Sequence, residues 1–299
     1  MVDQLRALDD TDFIDVIGEV TERAANTEVK PNDDITHITE LEEEITLTYN
    51  GWGEPNGLLT GYPSLDKMIG GLGKGHVILI GGETSNGKSA LATNIAVNVA
   101  KHHGVLYITL EMLQRELGAR IMHVNNGSVK DLDLMFQSEF RIDYKDVDPI
   151  IKKAKEMGNI ELVVLDYMQY LGRGMKLEEV AKMSKEFKSL ALKYEIPFLV
   201  IVSLRKSEQG KSKRKWTDIE IEEFMGTGSI GYDCDTAMIA SRKNLDGDYD
   251  ETGIWVKILK TRNAKLDYNN RFVRFDWDQT KITETDWIPE QFKEVEKST

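Results

Sequence analysis

The sequence predicts an α/β fold in which helices cover both faces of a mostly parallel sheet. Short, nearly continuous apolar runs, such as residues 77–80 and 198–202, have the length of strands. Segments with helical periodicity alternate with these runs, and residues 88–101 are the clearest example. Parallel sheets in α/β proteins lie between two layers of helices, so their strands are apolar on both faces, as these runs are.

The individual elements follow from the same two patterns. Two apolar runs near the C-terminus, separated by a short turn near 267–270, predict an antiparallel hairpin at the edge of the sheet. In chain order we predict a strand at 76–81, a helix at 88–101, a strand at 105–110, several helices within 112–157 of which the last spans 146–157, a strand at 160–165, a helix at 178–194, and strands at 197–203, 237–241, 253–259 and 271–277.

Composition excludes several classes of protein. Of the 299 residues, 40% are apolar and 30% are charged, which is typical of a soluble globular protein. No apolar run approaches the roughly 20 residues of a membrane-spanning helix, and the N-terminus lacks the pattern of a signal peptide. One cysteine, Cys234, excludes an internal disulfide framework, and the five histidines show no zinc-ligand spacing with it. We therefore expect a cytoplasmic protein without a structural zinc ion.

The negative charge is concentrated at the N-terminus. Residues 1–50 contain 14 acidic and 3 basic residues, whereas the remaining 249 contain 37 acidic and 35 basic. We predict an acidic N-terminal arm at 1–50, a main domain at 51–288 and a tail at 289–299. Within the arm, residues 11–25 have the pattern of an amphipathic helix, whose apolar stripe packs either on its own domain or on a neighbouring subunit.

One stretch of the main domain is strongly basic. Residues 205–215 contain six basic residues and one acidic residue. Such a run is either a solvated surface loop or a contact with nucleic-acid phosphates. Trp216 follows it and either stacks on a base or anchors the end of the loop to the domain. The candidate DNA contacts are Arg205, Lys206, Lys211, Lys213, Arg214 and Lys215, with Arg173 as a weaker candidate.

A phosphate-binding loop follows the first predicted strand and opens the first long helix. Residues 82–89 match the pattern Gly-x-x-x-x-Gly-Lys-Ser/Thr. Its glycines let backbone N–H groups turn toward phosphate oxygens, and the helix N-terminus adds positive potential. Lys88 would bridge the β- and γ-phosphates, and the Ser89 hydroxyl would ligate Mg²⁺. The predicted ATP contacts are Gly82, Glu83, Thr84, Ser85, Asn86, Gly87, Lys88, Ser89 and Ala90.

Two carboxylates follow predicted strands. Asp166 ends an apolar strand and is the expected second holder of Mg²⁺. Glu111 ends another strand, where it is placed either to activate the attacking water or to begin the following helix as a favourable first-turn charge. The pattern alone leaves these two interpretations of Glu111 equal.

Five motifs in order resemble the RecA-like ATPase domain of DnaB-type (DnaB/Twinkle) replicative helicases, over about residues 58–277. They are Thr60-Gly-Tyr-Pro-Ser-Leu-Asp66 with the phosphate loop, Thr109-Leu-Glu-Met112, Leu165-Asp-Tyr-Met-Gln-Tyr-Leu171, Gly228-Ser-Ile230 with Asp233 and Asp235, and Lys260-Thr-Arg-Asn263. The resemblance implies that Glu111 is the catalytic base. It also implies that Lys260 and Arg262 reach the γ-phosphate of a neighbouring subunit, and that the basic loop tracks single-stranded DNA inside a ring, which we expect to be a hexamer.

The resemblance further implies an ATP-dependent DNA helicase in a bacterial cell or a phage-infected host, with a primase or a loader as candidate partners. The sequence departs from the pattern at Leu204, Met225 and Tyr232, and at Ala264-Lys265. We also expect the N-terminal helical collar of that family to be missing. Two alternatives therefore stay open: an ATP-binding helicase accessory or loader protein with weak turnover, and a RecA/RadA-like recombinase.

Overall fold

The computed structural model describes residues 36–43, 45–46, 57–139, 142–166, 177–204, 215–224, 231, 233–262, 264 and 271–285. The chain divides into two units, Met1–Asn50 and Gly51–Thr299. In the first unit, a short 3₁₀ helix spans Ile38–Leu41, and the Nδ1 atom of His37 accepts a hydrogen bond from the Thr39 N–H. The amphipathic helix predicted at 11–25 lies outside the described residues.

The second unit alternates helices and strands. Among its described residues the helices are α1 (Pro63–Ile69), α2 (Lys88–Ala100), α3 (Gln114–Val124), α4 (Val147–Met157) and α5 (Leu177–Tyr194). The strands are β1 (Val77–Gly81), β2 (Val105–Thr109), β3 (Leu134–Gln137), β4 (Leu162–Asp166), β5 (Phe198–Ile201), β6 (Thr236–Ser241), β7 (Gly253–Thr261), β8 (Phe272–Asp278) and β9 (Lys281–Thr283). Within these ranges, no helix combines the length and apolar character needed to cross a bilayer.

The strands form one sheet in the order β3-β2-β4-β5-β1-β6-β7-β8-β9. The first six strands of this order pair in parallel, and the last three connections are antiparallel. The predicted mostly parallel sheet is therefore confirmed. The phosphate loop follows β1, which lies in the middle of the sheet between β5 and β6.

Helices cover both faces of the sheet, as we expected from the pattern of apolar residues. Successive residues of a strand point to opposite faces, and both sets are buried here. Ile78 and Ile80 of β1 pack in one core with side chains of α1, α2 and α3. Val77 and Leu79 pack in a second core with side chains of α4 and α5.

Two of the described strands were missed. The prediction of only helices within 112–157 is wrong at β3, which pairs in parallel with β2 at the edge of the sheet. Its four residues are only half-buried and show neither strict alternation nor a long apolar run, so no strand signal stood out. The predicted two-stranded edge hairpin is a larger antiparallel edge, because β7 pairs with β6 and β9 extends the sheet beyond β8.

Candidate nucleotide-binding site

The phosphate loop turns tightly between β1 and α2. Two of its glycines are required by geometry. Gly87 has a φ of 85°, and a Cβ atom there would lie 2.6 Å from the Ile254 Cδ1 atom. Gly82 lies so close to β6 that a Cβ atom would stand 2.5 Å from the carbonyl oxygen of Ala240. The backbone therefore adopts a conformation that side chains at these positions would obstruct.

Polar contacts close the loop on itself. The Lys88 ammonium donates to the carbonyl oxygen of Glu83 over 2.8 Å, and Lys243 forms an ion pair with the Glu83 carboxylate at 3.1 Å. Burial lowers the pKa of Lys88, while the charges of Asp166, Glu111 and Glu83 act against this shift. Lys88 thus sits at the N-terminus of α2, surrounded by carboxylates and nearly shielded from water.

Asp166 and Ser89 meet at the end of β4. The Ser89 hydroxyl donates to Asp166 Oδ1 over 3.1 Å, and the Tyr107 hydroxyl donates to Asp166 Oδ2 over 3.1 Å. Burial of Asp166, which is 1% exposed, raises its pKa to about 6, and the charge of Glu111 adds to the shift. A hydroxyl oxygen and a carboxylate oxygen side by side are the hard oxygen ligands that Mg²⁺ prefers. These residues therefore fit a Mg²⁺ ion that is bound together with phosphates.

Glu111 lies beside Asp166 at the same edge of the sheet. Thr109 pairs with Asp166 across β2 and β4, and the Leu110 N–H donates to the Asp166 carbonyl oxygen over 2.7 Å. The side chain of Glu111 is exposed. The first-turn carboxylate of α3 is Glu116, which accepts a hydrogen bond from the Leu113 N–H. The interpretation of Glu111 as a helix-start charge is therefore wrong.

Lys260 and Arg262 lie beyond the opposite ends of the strands, where β1 begins. Arg262 donates to Asp235 Oδ1 over 3.0 Å, and Lys260 donates to the carbonyl oxygens of Gly231 and Cys234. The N–H of Asp235 bonds to Val77, where β1 begins, whereas the phosphate loop starts at Gly82, where β1 ends. At about 3.3 Å per residue, the five residues of β1 span roughly 16 Å between the residue beside Asp235 and the start of the loop.

The predicted DNA contacts are described only in part. Arg205, Lys206, Lys211, Lys213, Arg214 and Arg173 lie outside the described residues, whereas Lys215 is exposed. Trp216 is buried, its indole N–H donates to the Asn244 carbonyl oxygen over 2.7 Å, and its ring packs edge-on against Phe272. Trp216 therefore anchors the end of the basic stretch, and the base-stacking interpretation is wrong.

The positions that depart from the family pattern are also described only in part. Leu204 is half-buried and forms an isolated β-bridge with Phe224. Met225, Tyr232 and Lys265 lie outside the described residues, and Ala264 is half-buried.

Sequence reasoning missed several residues around the loop. Arg242, Lys243 and Tyr107 were not singled out, although their side chains or backbones contact the phosphate loop or Asp166. For Tyr107 a signal existed, because it is the one phenol among the aliphatic and threonine residues of β2. For Arg242 and Lys243 no local signal existed, since only the pairing of β6 beside β1 brings them to the loop.

Comparison with known proteins agrees with this arrangement. A model of the DnaB-like helicase C-terminal domain matches residues 57–131 and 122–283, more than half of the chain. The replicative DNA helicase DnaB of Geobacillus stearothermophilus is 27% identical over an alignment of length 285, which covers 84% of this chain and 61% of that protein. The chain thus spans less than two thirds of the length of this relative.

Solved structures show the same fold. A DnaB-like replicative helicase, described with its interactions with primase, is 17% identical, with a TM-score of 0.69 over 90% of this chain and 71% of that one. A separately solved ATPase domain is 16% identical, with a TM-score of 0.71 over 85% of this chain and all of that one. The RadB recombinase is 17% identical, with a lower TM-score of 0.55 over 77% of this chain and all of that one.

These structures bear out the predicted RecA-like fold, and the family model matches the part of the chain that holds the phosphate loop, Glu111 and Asp166. The chain belongs to the DnaB-like helicase C-terminal domain family.

Proposed function

We propose that this chain is the ATP-hydrolysing motor of a DnaB-type replicative DNA helicase. The observation that carries the proposal is the meeting of Ser89, Asp166 and Glu111 with the phosphate loop at one edge of the sheet. ATP would place its phosphates on residues 82–90, and Ser89 and Asp166 would hold Mg²⁺. When bound, the ion would offset negative charge on the β- and γ-phosphate oxygens.

The residues of the chain then take separate roles. Lys88 is within reach of the Glu83 carbonyl in the loop, and it would transfer this hydrogen bond to a phosphate oxygen when ATP binds. Glu111 would accept a proton from the attacking water or orient that water, because its exposed carboxylate stands beside Asp166. Burial of Lys88 and Asp166 strengthens the electrostatic interactions of both groups with a bound nucleotide.

The site is completed by another copy of the chain. Arg262 bonds to Asp235 beside the first residue of β1, and the loop follows the last residue of that strand, about 16 Å away. Lys260 bonds to the carbonyl oxygen of the adjacent Cys234. In a ring of copies, such as a hexamer, one subunit would present this edge to the phosphate loop of its neighbour. Arg262 would then stabilise the charge that develops on the γ-phosphate, with Lys260 as its companion.

Single-stranded DNA is the nucleic acid that we propose the chain binds and moves along. The exposed Lys215 and the anchored Trp216 mark where the basic stretch joins the domain. Lysine and arginine side chains there would contact phosphates without regard to base sequence. A primase or a loader is a further proposed partner, and a similar DnaB-like helicase structure is described with its interactions with primase. The proposed location is the cytoplasm of a bacterial cell or of a phage-infected host.

One alternative function has specific support. The side chain of Leu204 cannot hydrogen-bond, and the backbone of this residue forms a β-bridge with Phe224 just beyond the end of β5. Because Leu204 departs from the pattern of DnaB-type helicases, this apolar side chain favours an accessory protein that binds ATP and hydrolyses it only weakly. A recombinase is less supported, since the family model and the curated relatives are helicases.

Steady-state ATP hydrolysis, with and without single-stranded DNA, tests the proposal. We expect stimulation by DNA in the wild-type chain and loss of hydrolysis in Glu111→Gln with nucleotide binding retained. Glu156→Gln, an exposed carboxylate on α4, is the matched control and should leave hydrolysis unchanged. Nucleotide binding without DNA-stimulated turnover in the wild-type chain would refute the motor and favour the accessory protein.

A further inference from the structure

Two buried hydroxyl groups lie close to Asp166, those of Tyr107 and Thr93. Tyr107 of β2 is fully buried, and its hydroxyl donates to Asp166 Oδ2 over 3.1 Å. Thr93 of α2 is 1% exposed, and its hydroxyl oxygen is 3.3 Å from that of Tyr107. The proposed reaction assigns no role to either residue.

The two protons of this pair have defined acceptors. Tyr107 has one proton, and the carboxylate of Asp166 is the strongest acceptor within its reach, because hydrogen bonds to charged groups are the stronger ones. Thr93 donates to the carbonyl oxygen of Ser89 over 2.7 Å. Tyr107 therefore links β2 to the end of β4, and its hydroxyl lies beside that of Thr93, which bonds to the first turn of α2 at Ser89.

The carboxylate of Asp166 is fixed at both of its oxygens as a result. Oδ1 accepts from Ser89 and Oδ2 accepts from Tyr107. The terminal torsion of an aspartate has a broad, soft energy profile, so packing alone does not hold the carboxylate in one orientation. Removal of the Tyr107 hydroxyl would leave Oδ2 buried without this donor and free the carboxylate to rotate.

We propose that Tyr107 is a positioning residue for the Mg²⁺-nucleotide site, and that its buried hydroxyl keeps Asp166 Oδ1 directed toward Ser89. The proposal rests on the proposed function, because it presumes that Ser89 and Asp166 hold Mg²⁺. Tyr107 itself does not touch the nucleotide. Tyr107 affects only the affinity with which the Ser89 and Asp166 oxygens bind Mg²⁺.

A merely structural role makes a different prediction. A buried tyrosine hydroxyl usually finds a hydrogen-bond partner, whatever that partner does. Tyr62 provides the matched case: it is 2% exposed, lies in the same core as Tyr107, and donates to the carbonyl oxygen of Ile282 over 3.1 Å. Tyr62→Phe and Tyr107→Phe each remove one buried hydroxyl, but only the second removal affects Asp166.

The test measures binding of a fluorescent ATP analogue to the full chain as Mg²⁺ is titrated, at a temperature where circular dichroism shows every variant folded. We expect Tyr107→Phe to raise the Mg²⁺ concentration for half-saturation about three- to tenfold, the range expected for one lost hydrogen bond. Binding of the analogue without Mg²⁺ should not change. Tyr62→Phe should match the wild-type chain in both measurements.

A double-mutant cycle with Asp166→Asn tests whether Tyr107→Phe changes the Mg²⁺ dependence through Asp166. If Tyr107 acts through Asp166, Tyr107→Phe has no further effect on Mg²⁺ dependence once Asp166→Asn is present. Unchanged Mg²⁺ dependence in Tyr107→Phe, or an equal change in Tyr62→Phe, would overturn the inference. Failure of the wild-type chain to bind the analogue with Mg²⁺ would instead overturn the proposed function.

Discussion

Among its individual residues, the candidate site holds charges that protein interiors usually exclude. Lys88 and Asp166 are both buried. Burial lowers the pKa of Lys88 and raises the pKa of Asp166, so it favours the neutral form of each group. Neighbouring groups compensate: the Glu83 carbonyl accepts from Lys88, and hydroxyl groups donate to Asp166. These buried charges fit the proposed ligand, which brings negative phosphates and a cation together.

Gly87 gives a prediction for a single residue. Gly87→Ala places a side chain at a φ of 85° and against Ile254, so we expect the free energy of unfolding to fall by about 1–3 kcal/mol and nucleotide binding to weaken. Gly118→Ala is the control, because that glycine lies in α3 with no atom near its Cβ position. Gly118→Ala should raise the free energy of unfolding by about 0.5–1 kcal/mol. Urea denaturation of both variants and of the wild-type chain measures these changes. Equal effects of the two substitutions would contradict the prediction.

Among the secondary-structure elements, the connection from β6 to β7 joins two functional regions. At residues 242–244 it contacts the phosphate loop through Lys243 and through the Arg242 N–H, which donates to Asn86. The Asn244 carbonyl oxygen accepts a hydrogen bond from the indole N–H of Trp216, the residue that directly follows the basic stretch. One short connection therefore contacts both the phosphate loop and Trp216, which follows the basic stretch.

Two further groups hold this region in place. The Arg242 guanidinium donates to the carbonyl oxygens of residues 250 and 251 and lies over the ring of Trp277. The fully buried Lys257 of β7 donates to the carbonyl oxygens of Thr217 and Ile219, which follow Trp216. These bonds hold in place both the β6–β7 connection beside the phosphate loop and the residues that follow Trp216.

Asp250 makes the stability of this connection depend on pH. Burial would raise its pKa, but hydrogen bonds from Arg274, Trp255 and the Thr252 N–H outweigh burial and lower it to about 2. A group with a lowered pKa stabilises the folded chain above its unfolded pKa near 4, and this stabilisation is lost as the pH falls from about 4 toward 2.

We therefore expect Asp250→Asn to reduce the free energy of unfolding at pH 7 by about 1–2 kcal/mol, allowing for the water that reaches this carboxylate. The difference from the wild-type chain should narrow below about pH 4. Asp276→Asn is the control, since Asp276 contacts the same Arg274 but is 53% exposed, and it should change stability by less than about 0.5 kcal/mol. Urea denaturation at neutral and acidic pH measures this, and a difference that persists at about pH 2 would contradict it.

In the molecule as a whole, the sheet separates two half-sites. The carboxyl ends of β1, β2 and β4 present the phosphate loop, Glu111 and Asp166, while the opposite edge presents Asp235 with Arg262. Asp235 also accepts from Lys188 and from the Val77 N–H, so Arg262 is tied to the first residue of the strand that leads to the loop. Under the proposed function, each copy would carry one set of nucleotide contacts for itself and one set for a neighbour.

Mixing of subunits tests this division. Lys88→Ala and Arg262→Ala should each abolish hydrolysis alone, because each removes one half-site from every interface. In an equal mixture of the two variants, about one quarter of the interfaces of a closed ring combine an intact loop with an intact Arg262. We expect the mixture to recover about that fraction of wild-type hydrolysis. No recovery after the subunits have exchanged would show that Arg262 does not act across an interface.

Much of the fold could be predicted from the sequence because its signals are local. The apolar runs of β1, β2, β4 and β5 and the periodicity of α2 and α5 each lie within a single segment, and the structure confirms them. The edge strands β3 and β9 were missed, because a short strand at an edge depends on the neighbour that it pairs with rather than on its own residues.

The phosphate loop, the carboxylates that follow β2 and end β4, and the likeness to the DnaB-type motifs could all be recognised in the unfolded chain, since each is a pattern along it. Contacts between distant segments could not be recognised in this way: Tyr107 holds Asp166, Lys243 reaches Glu83, and Arg262 lies a full strand away from its own loop. A parallel sheet places residues far apart in sequence side by side, and those pairs depend on strand order and register rather than on local pattern.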